Sequence, residues 1–598
     1  MSDETNQRSF QAKLPDPAAT REALAEIFIN AAQATRAAAK KAMAPPTALT
    51  FDPADKAGAM FNFALSLMTQ PTVLVEAQQK AFAEWSSLWS ATLRRMGGQA
   101  ADPVIEPARG DRRFSDPAWT EQPLFEHLKQ SYLLAGRQMN ELVAKVDNVD
   151  PDTRLRVAFI LRQYLDAVAP TNFALTNPEA LRKSLETGGV NLLGGLANLL
   201  ADVATDKGIV ERRAADTFEL GVNIAATPGD VVYQNELFQL IQYAPTTPQV
   251  ARRPLLYVPP LVNKYYLMDL QPKSSLLKWL VDEGRTVFVV SWINPGPELR
   301  DKDLASYVVD GVVEAMNAVR DATGEPDVDL AAFCMGGTLA ACAAAYLAAK
   351  GEADRVGSLT MIGTLLEFSD LREWAVFMGD GDMEALHRNL HSKGYIESHD
   401  LQKLFSLMRA NDLIWSSVVN HYLLDKEAPP SDILYWFADG ARIPAAFLRT
   451  YGENMLKGDQ LKNPGAVVLQ GTPLDLGKVT APVFVISLKD DHVSAWEATY
   501  SGARMFGGPA RFLLGGSGHN AGVINPPSAN KHGYWTNATL PDDAEGWMAT
   551  AAKQNGSWWP EWRTWLTEQD AETKPARKVG DGKLKAIEPA PGSYVRGQ

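Results

Sequence analysis

The sequence predicts an α/β protein: a mainly parallel sheet with helices on both faces, broken by a mostly helical insertion and preceded by a helical region. Three observations predict it. From about residue 225, short apolar runs recur between turn residues, at 254–260 (PLLYVPP), 286–292 (TVFVVSW), 327–333 (DVDLAAF), 358–366 (SLTMIGTLL), 481–488 (APVFVISL) and 510–516 (ARFLLGG). Helical patterns separate most of them, and strand and helix in this rhythm build a parallel sheet covered on both sides. Between the fourth and fifth runs lie more than a hundred residues rich in Trp, Tyr, Leu and Met, too many for a plain connection. Ahead of about residue 220, apolar residues recur at helical spacing and nothing alternates with period two.

Taken in order, residues 1–20 are polar and contain proline, so they are expected to be mobile. An Ala-rich helix follows over 21–43 and stops before Pro45 and Pro46. Over 72–96, Phe82, Trp85, Trp89, Leu93 and Met96 recur at gaps of three and four, an amphipathic helix ending at Gly97 and Gly98. Its apolar stripe is either core or a surface for a partner. A linker rich in Pro, Gly and charge spans 97–113, and helical patterns run through 120–205. The chain thus divides into a helical N-terminal domain at 1–220, a catalytic domain at 221–575 with a cap inserted at about 366–446, and a polar tail at 576–598.

Composition narrows the function. The 598 residues are 46% hydrophobic and 22% charged, enough to bury a core in two to four domains. The net charge of −13 argues against a nucleic-acid partner, which needs a basic face. Two cysteines, Cys334 and Cys342, are too few for a disulfide framework or a four-cysteine metal site. On one helix they would sit roughly 12 Å apart, beyond disulfide reach. The N-terminus lacks the apolar run of a signal peptide, so a reduced, cytoplasmic protein is expected. The uncharged stretch 330–349 has the length of a membrane span, but its Ala and Gly content and its Met-Gly-Gly turn suit a buried strand-turn-helix better. No transmembrane segment is expected.

The sharpest chemical signal lies inside that stretch. Ala332-Phe333-Cys334-Met335-Gly336-Gly337 follows a strand and opens an Ala-rich helix, the setting of a nucleophile elbow in the α/β-hydrolase fold. The usual pattern is G-x-S-x-G; here Cys stands for Ser and Ala332 for the first Gly. The N–H of Met335 would face a developing oxyanion. In this fold the acid and the histidine follow the nucleophile in that order. His519, in GGSGHNAG just past the final strand, is the candidate base. Asp490 and Asp491, where APVFVISL ends, are rival candidates for the acid, and spacing alone does not separate them. His387 and His391 share a helix face at metal-ligand spacing, but no glutamate of H-E-x-x-H and no third ligand accompany them.

With these residues the chain resembles the class I polyhydroxyalkanoate synthases, from about Asp111 to Trp565. The likeness runs through DRRFSDPAW (111–119), TNFALTNPEAL (171–181), YVPPLVNKYYLMDLQPKSSL (257–276), VSWINPG (290–296), FCMGG (333–337), RANDLIW (409–415), DILYWFADG (432–440), DDHVSAW (490–496), GSGHNAGVINPP (516–527) and GSWWPEW (556–562). The resemblance implies Cys334 as nucleophile, His519 as the base and Asp491 as the acid, which either orients His519 or helps deprotonate the attacking 3-hydroxyl. By analogy with related hydrolases it adds an oxyanion donor from the loop 260–263, at Val262 or Asn263, beside Met335. It also points to Trp436 as a substrate contact, although Phe437 follows it where the family usually has Asn. The activity implied is polymerisation of (R)-3-hydroxyacyl-CoA, 3-hydroxybutyryl-CoA above all, into a polyester with release of CoA. No cofactor or metal is implied, since acyl-CoA is the substrate. Localisation at the surface of polyester granules is expected, and the cap, rich in Trp415, Tyr422, Leu423, Leu424, Tyr435, Trp436 and Phe437, is expected to gate the site and contribute to a homodimer. A Cys-dependent thioesterase and an inactive granule scaffold are the competing readings.

Overall fold

A computed structural model of the chain describes residues 12–42, 53–108, 110–204, 217–427 and 429–597. They fall into two compact units. The first takes the described residues within Met1–Arg213, together with Ala375–Met383 and Lys403–Pro429; the second takes Ala214–Trp374, Glu384–Gln402 and Pro430–Gln598.

The second unit is organised by a sheet of eleven strands among the described residues. In chain order these are β1 (Gly229–Gln234), β2 (Phe238–Tyr243), β3 (Leu255–Val258), β4 (Val287–Trp292), β5 (Val328–Phe333), β6 (Val356–Ile362), β7 (Val483–Leu488), β8 (Ala510–Gly515), β9 (Tyr534–Thr536), β10 (Ala552–Gln554) and β11 (Glu588–Pro589). Across the sheet they run β10-β9-β8-β7-β6-β5-β3-β4-β2-β1-β11. The six central strands, β4-β3-β5-β6-β7-β8, pair in parallel and coincide with the six apolar runs of the sequence. The outer strands pair antiparallel. The stretch 330–349 is β5, a turn and the buried helix Met335–Ala349. Among the described residues no single helix is long and apolar enough to cross a membrane.

Six of the seven helices that begin at Pro17, Pro53, Pro71, Pro123, Pro151, Pro178 and Val190 in the first unit open on proline. Its missing N–H costs nothing in a first turn, where that donor has no helical partner. Residues 17–20, expected to be mobile, are already helical; 1–11, like Pro45 and Pro46, lie outside the described residues. The stripe on Pro71–Met96 is no core: Phe82 is 78% exposed and Met96 71%, with Trp89 and Leu93 also in water. That helix buries Leu88, Ala91 and Thr92 instead.

The insertion at 366–446 is mostly helical, but it does not form one body. Its inner parts belong to the helical unit. Phe377 stacks edge-on against Phe159 at 5.3 Å, Gln163 donates to the Leu407 carbonyl, and the Tyr422 hydroxyl donates to buried Asp202 at 2.8 Å. A Cβ on Gly195 would lie 1.8 Å from the Tyr422 carbonyl oxygen, so that helix must present glycine to bring the two backbones together.

The tail departs from expectation too. Residues 576–598 supply β11, which closes the sheet edge beside β1, and bury Val595. Their polarity is spent internally. The amide nitrogen of Gln239, fully buried on β2, lies 2.7 Å from Gln234 Oε1 and 2.9 Å from Ser593 Oγ and also contacts Glu588, while the N–H of Tyr594 donates to Gln239 Oε1. Removing residues 587–598 strips most partners from a buried amide, at a cost of about 1–3 kcal/mol, and bares the edge of β1. The truncated chain should unfold at a measurably lower denaturant midpoint; an unchanged midpoint would mean the tail is a passive appendage.

Candidate active site

Cys334 sits between β5 and the helix Met335–Ala349, at φ 53° and ψ −128°. A non-glycine residue rarely occupies this region, and local contacts hold it there. The Cys334 N–H donates to the Ile362 carbonyl at 2.9 Å, while its own carbonyl accepts from the Gly337 N–H at 2.9 Å and the Thr364 hydroxyl at 3.1 Å. A Cβ on Gly336 would lie 2.4 Å from the Val258 carbonyl oxygen, and one on Gly337 would lie 2.0 Å from Thr364 Oγ1. Both glycines are therefore steric requirements of the elbow. Ala332, where the usual pattern has glycine, is fully buried between its register partners Val258 and Met361, so one methyl fits.

The same close approach brings the start of the helix against Val258 and Pro259, and so beside the loop 260–263. Met335 is the first residue of its helix, so its N–H has no partner in the helical ladder and is free to meet a ligand oxygen. The Val262 carbonyl accepts from the Ala441 N–H at 3.1 Å, which fixes that peptide, and Asn263 is buried with its Nδ2 unpartnered. Trp436, expected at the substrate, is buried, and its indole N–H donates to the Lys264 carbonyl at 2.7 Å. In this position it braces the loop and has no donor left to offer a substrate.

The structure separates the two aspartates. Asp490 is exposed, whereas the Asp491 side chain is fully buried after β7. Asp491 Oδ1 accepts from the N–H groups of Val493 at 2.8 Å and Ser494 at 2.9 Å, which leaves Oδ2 to meet His519 Nδ1 at 2.6 Å. His519 lies in the loop after β8, with its ring 4.8 Å from that of Phe333. Burial alone would push the ring's pKa down; the Asp491 carboxylate and the Cys334 sulfur, which also hydrogen-bonds the ring, outweigh it and raise the pKa to about 10. Cys342 is entirely buried among apolar side chains, and its thiol is pushed up to about 12. It is a packing residue. His387 and His391 are exposed on the helix Asp380–Lys393.

Two supporting residues are not among the candidates read from the sequence. Gly363, at φ +55°, lies so close to the dyad that a Cβ would be 3.2 Å from His519 Cε1 and 3.6 Å from Asp491 Oδ2. Ser494 donates its hydroxyl to the Gly363 carbonyl at 2.9 Å, tying the acid's loop to that backbone. Ser494 lies in the DDHVSAW segment and Gly363 in the fourth apolar run, but only proximity reveals what they do.

Because the folded ring holds its proton more tightly than the unfolded one, its contribution to stability is complete below about pH 6.5 and is lost as pH rises through about 10. The destabilisation of His519→Gln relative to the unaltered chain should therefore be largest in mild acid and shrink across that window in denaturant titrations. A difference independent of pH would sink this account of the ion pair.

Comparison with known proteins adds the lineage. A family model described as "Poly-beta-hydroxybutyrate polymerase (PhaC) N-terminus" matches residues 110–280, and one described as "alpha/beta hydrolase fold" matches 266–526. The chain is 42% identical over 532 residues to a poly(3-hydroxyalkanoate) polymerase of Methylorubrum extorquens, covering 88% of each chain. It is 39% identical to the Rhizobium meliloti polymerase subunit PhaC (88% of this chain, 86% of the other) and 38% identical to that of Cupriavidus necator (88% and 89%).

Proposed function

Because the chain belongs to the poly(3-hydroxyalkanoate) polymerase family, we propose that Cys334, His519 and Asp491 carry out its polymerisation through a covalent acyl-cysteine. The enzyme is a polyhydroxyalkanoate synthase of the α/β-hydrolase superfamily, an acyltransferase that joins 3-hydroxyacyl units from CoA thioesters into polyester and releases CoA. The observation that carries the mechanism is the buried Asp491–His519 pair beside a cysteine held on a nucleophile elbow.

His519 takes the proton of Cys334, since the thiolate is the nucleophile. The sulfur attacks the thioester carbonyl, its oxygen takes up negative charge, and the N–H of Met335 with a donor from the Val262–Asn263 loop stabilises it. CoA leaves with the proton from His519, and one thioester has replaced another of similar energy. The 3-hydroxyl of an incoming unit or chain end then gives its proton to the same imidazole and attacks the acyl-cysteine, forming an ester and freeing the thiol. Asp491 orients the ring and stabilises its charged form. The preferred substrate is short, (R)-3-hydroxybutyryl-CoA with 3-hydroxyvaleryl-CoA accepted, and the working form is a homodimer at the surface of the polyester granule.

Cys334→Ala and Cys334→Ser should both lose nearly all CoA release while remaining folded, because a serine hydroxyl is far less acidic and an oxygen ester is no equal exchange for a thioester. Cys342→Ala should lose only packing. CoA release by Cys334→Ala at a substantial rate would remove the acyl-enzyme. A panel of (R)-3-hydroxyacyl-CoA substrates with product analysis tests the rest: insoluble polyester from C4 and C5 units is expected, whereas free hydroxy acid would mean a thioesterase and a preference for eight or more carbons would overturn the chain-length reading. Sedimentation of the active enzyme at a monomer's mass would dismiss the dimer.

A further inference from the structure

The loop that carries His519 runs from Gly516 to Asn525 without regular secondary structure, braced within by the Gly522 N–H on the Gly518 carbonyl at 2.8 Å and the Ile524 N–H on the Asn520 carbonyl at 3.0 Å. Two tryptophans reach it. The indole N–H of Trp558 donates to the Gly522 carbonyl at 2.9 Å, and that of Trp559 donates to the Val523 carbonyl at 3.0 Å. Both side chains are almost fully buried, 0% and 1% exposed. These carbonyls lie three and four residues beyond the histidine.

Trp558 also packs at the end of β8, where the histidine loop begins. A Cβ on Gly515, the last residue of β8, would lie 3.6 Å from its ring and 3.0 Å from Leu488, three residues before Asp491. Gly522 leaves no slack, since a Cβ there would meet the Gly516 carbonyl oxygen and the Leu488 side chain at 2.6 Å each. A third tryptophan of the same helix, Trp562, is just as buried, but its indole N–H donates to Thr360 Oγ1 on β6, away from the histidine loop.

We propose that Trp558 and Trp559 are positioning residues for catalysis: their indole N–H groups fix the Gly522 and Val523 peptides and so set where His519 meets Asp491 and Cys334. This rests on the reading of His519 as the base. A buried carbonyl that loses its donor must find another or turn toward water. In so tight a loop, turning the peptide displaces the ring, and a displacement of about 1 Å in a catalytic group can cost on the order of a hundredfold in rate.

The test compares steady-state CoA release with the pH profile of Cys334 alkylation by iodoacetamide, in Trp558→Phe, Trp559→Phe, Trp562→Phe and His519→Ala. Phenylalanine keeps an aromatic ring and removes the donor. Trp558→Phe and Trp559→Phe should lower kcat about ten- to a hundredfold with KM little changed, and should move the alkylation profile toward that of His519→Ala. Trp562→Phe should lower Tm and leave the profile in place. If Trp558→Phe and Trp559→Phe lower Tm as Trp562→Phe does but keep the profile and kcat, the indoles merely pack and the proposal falls. If His519→Ala leaves the profile unmoved, the reading of His519 as base has failed and takes the proposal with it, a result told apart by that variant alone. Should a phenylalanine variant fail to fold, benzothienylalanine at the same position, which has tryptophan's shape without its N–H, gives the same two readouts.

Discussion

The catalytic unit depends on a backbone held where a cysteine does not prefer to be. At φ 53° and ψ −128°, Cys334 carries strain on the order of 1–3 kcal/mol. That conformation persists because strands on both sides over-determine it. Ile362 at the end of β6 takes the Cys334 N–H, Thr364 and Gly337 occupy its carbonyl, and Gly336 lets the helix close on the end of β3. The consequence is a sulfur lifted off the sheet and a helix-start N–H beside it, with the loop 260–263 drawn alongside. The strain and the chemistry are the same feature.

The second requirement is to keep charge in a dry place. A carboxylate buried without partners would be driven neutral. Asp491 has partners on both oxygens: two backbone N–H groups on one and the His519 ring on the other. Its neighbour Asp490, exposed, has no such surroundings. The carboxylate and the sulfur in turn raise the imidazole's pKa against the effect of its own burial. In the proposed mechanism, this raised affinity for a proton favours its transfer from the Cys334 thiol.

The insertion and the tail show how a chain divides its labour differently from its sequence order. Segments 375–383 and 403–429 interrupt the catalytic domain in sequence yet join the helical unit, through Phe377, Tyr422 and the glycine at 195. The tail looks like solvated chain by composition, but its glutamate, serine and backbone donors satisfy a glutamine buried in the sheet. In both cases contacts between residues distant in sequence join the parts.

The sequence by itself determined the six parallel strands and the elbow, and it picked out Cys334, Asp491 and His519 in order at three strand ends. A parallel strand is buried on both faces and reads as an unbroken apolar run, and the fold places catalytic groups at the ends of such strands, so runs and residues could be matched directly. It did not reveal the antiparallel flanks. β2 is buried throughout but interrupted by Gln239 and Gln242, β9 and β10 are three residues each, and β11 is a Glu-Pro pair. It left the Phe82–Met96 stripe open between core and surface, because periodicity shows which face is apolar and not what lies opposite. Only the tertiary structure decided that Asp491 faces His519, that Trp436 braces a loop, and that Gly363, Ser494 and the paired tryptophans surround the dyad. Those roles are fixed by distances between residues far apart in the chain, and a one-dimensional pattern carries no distances.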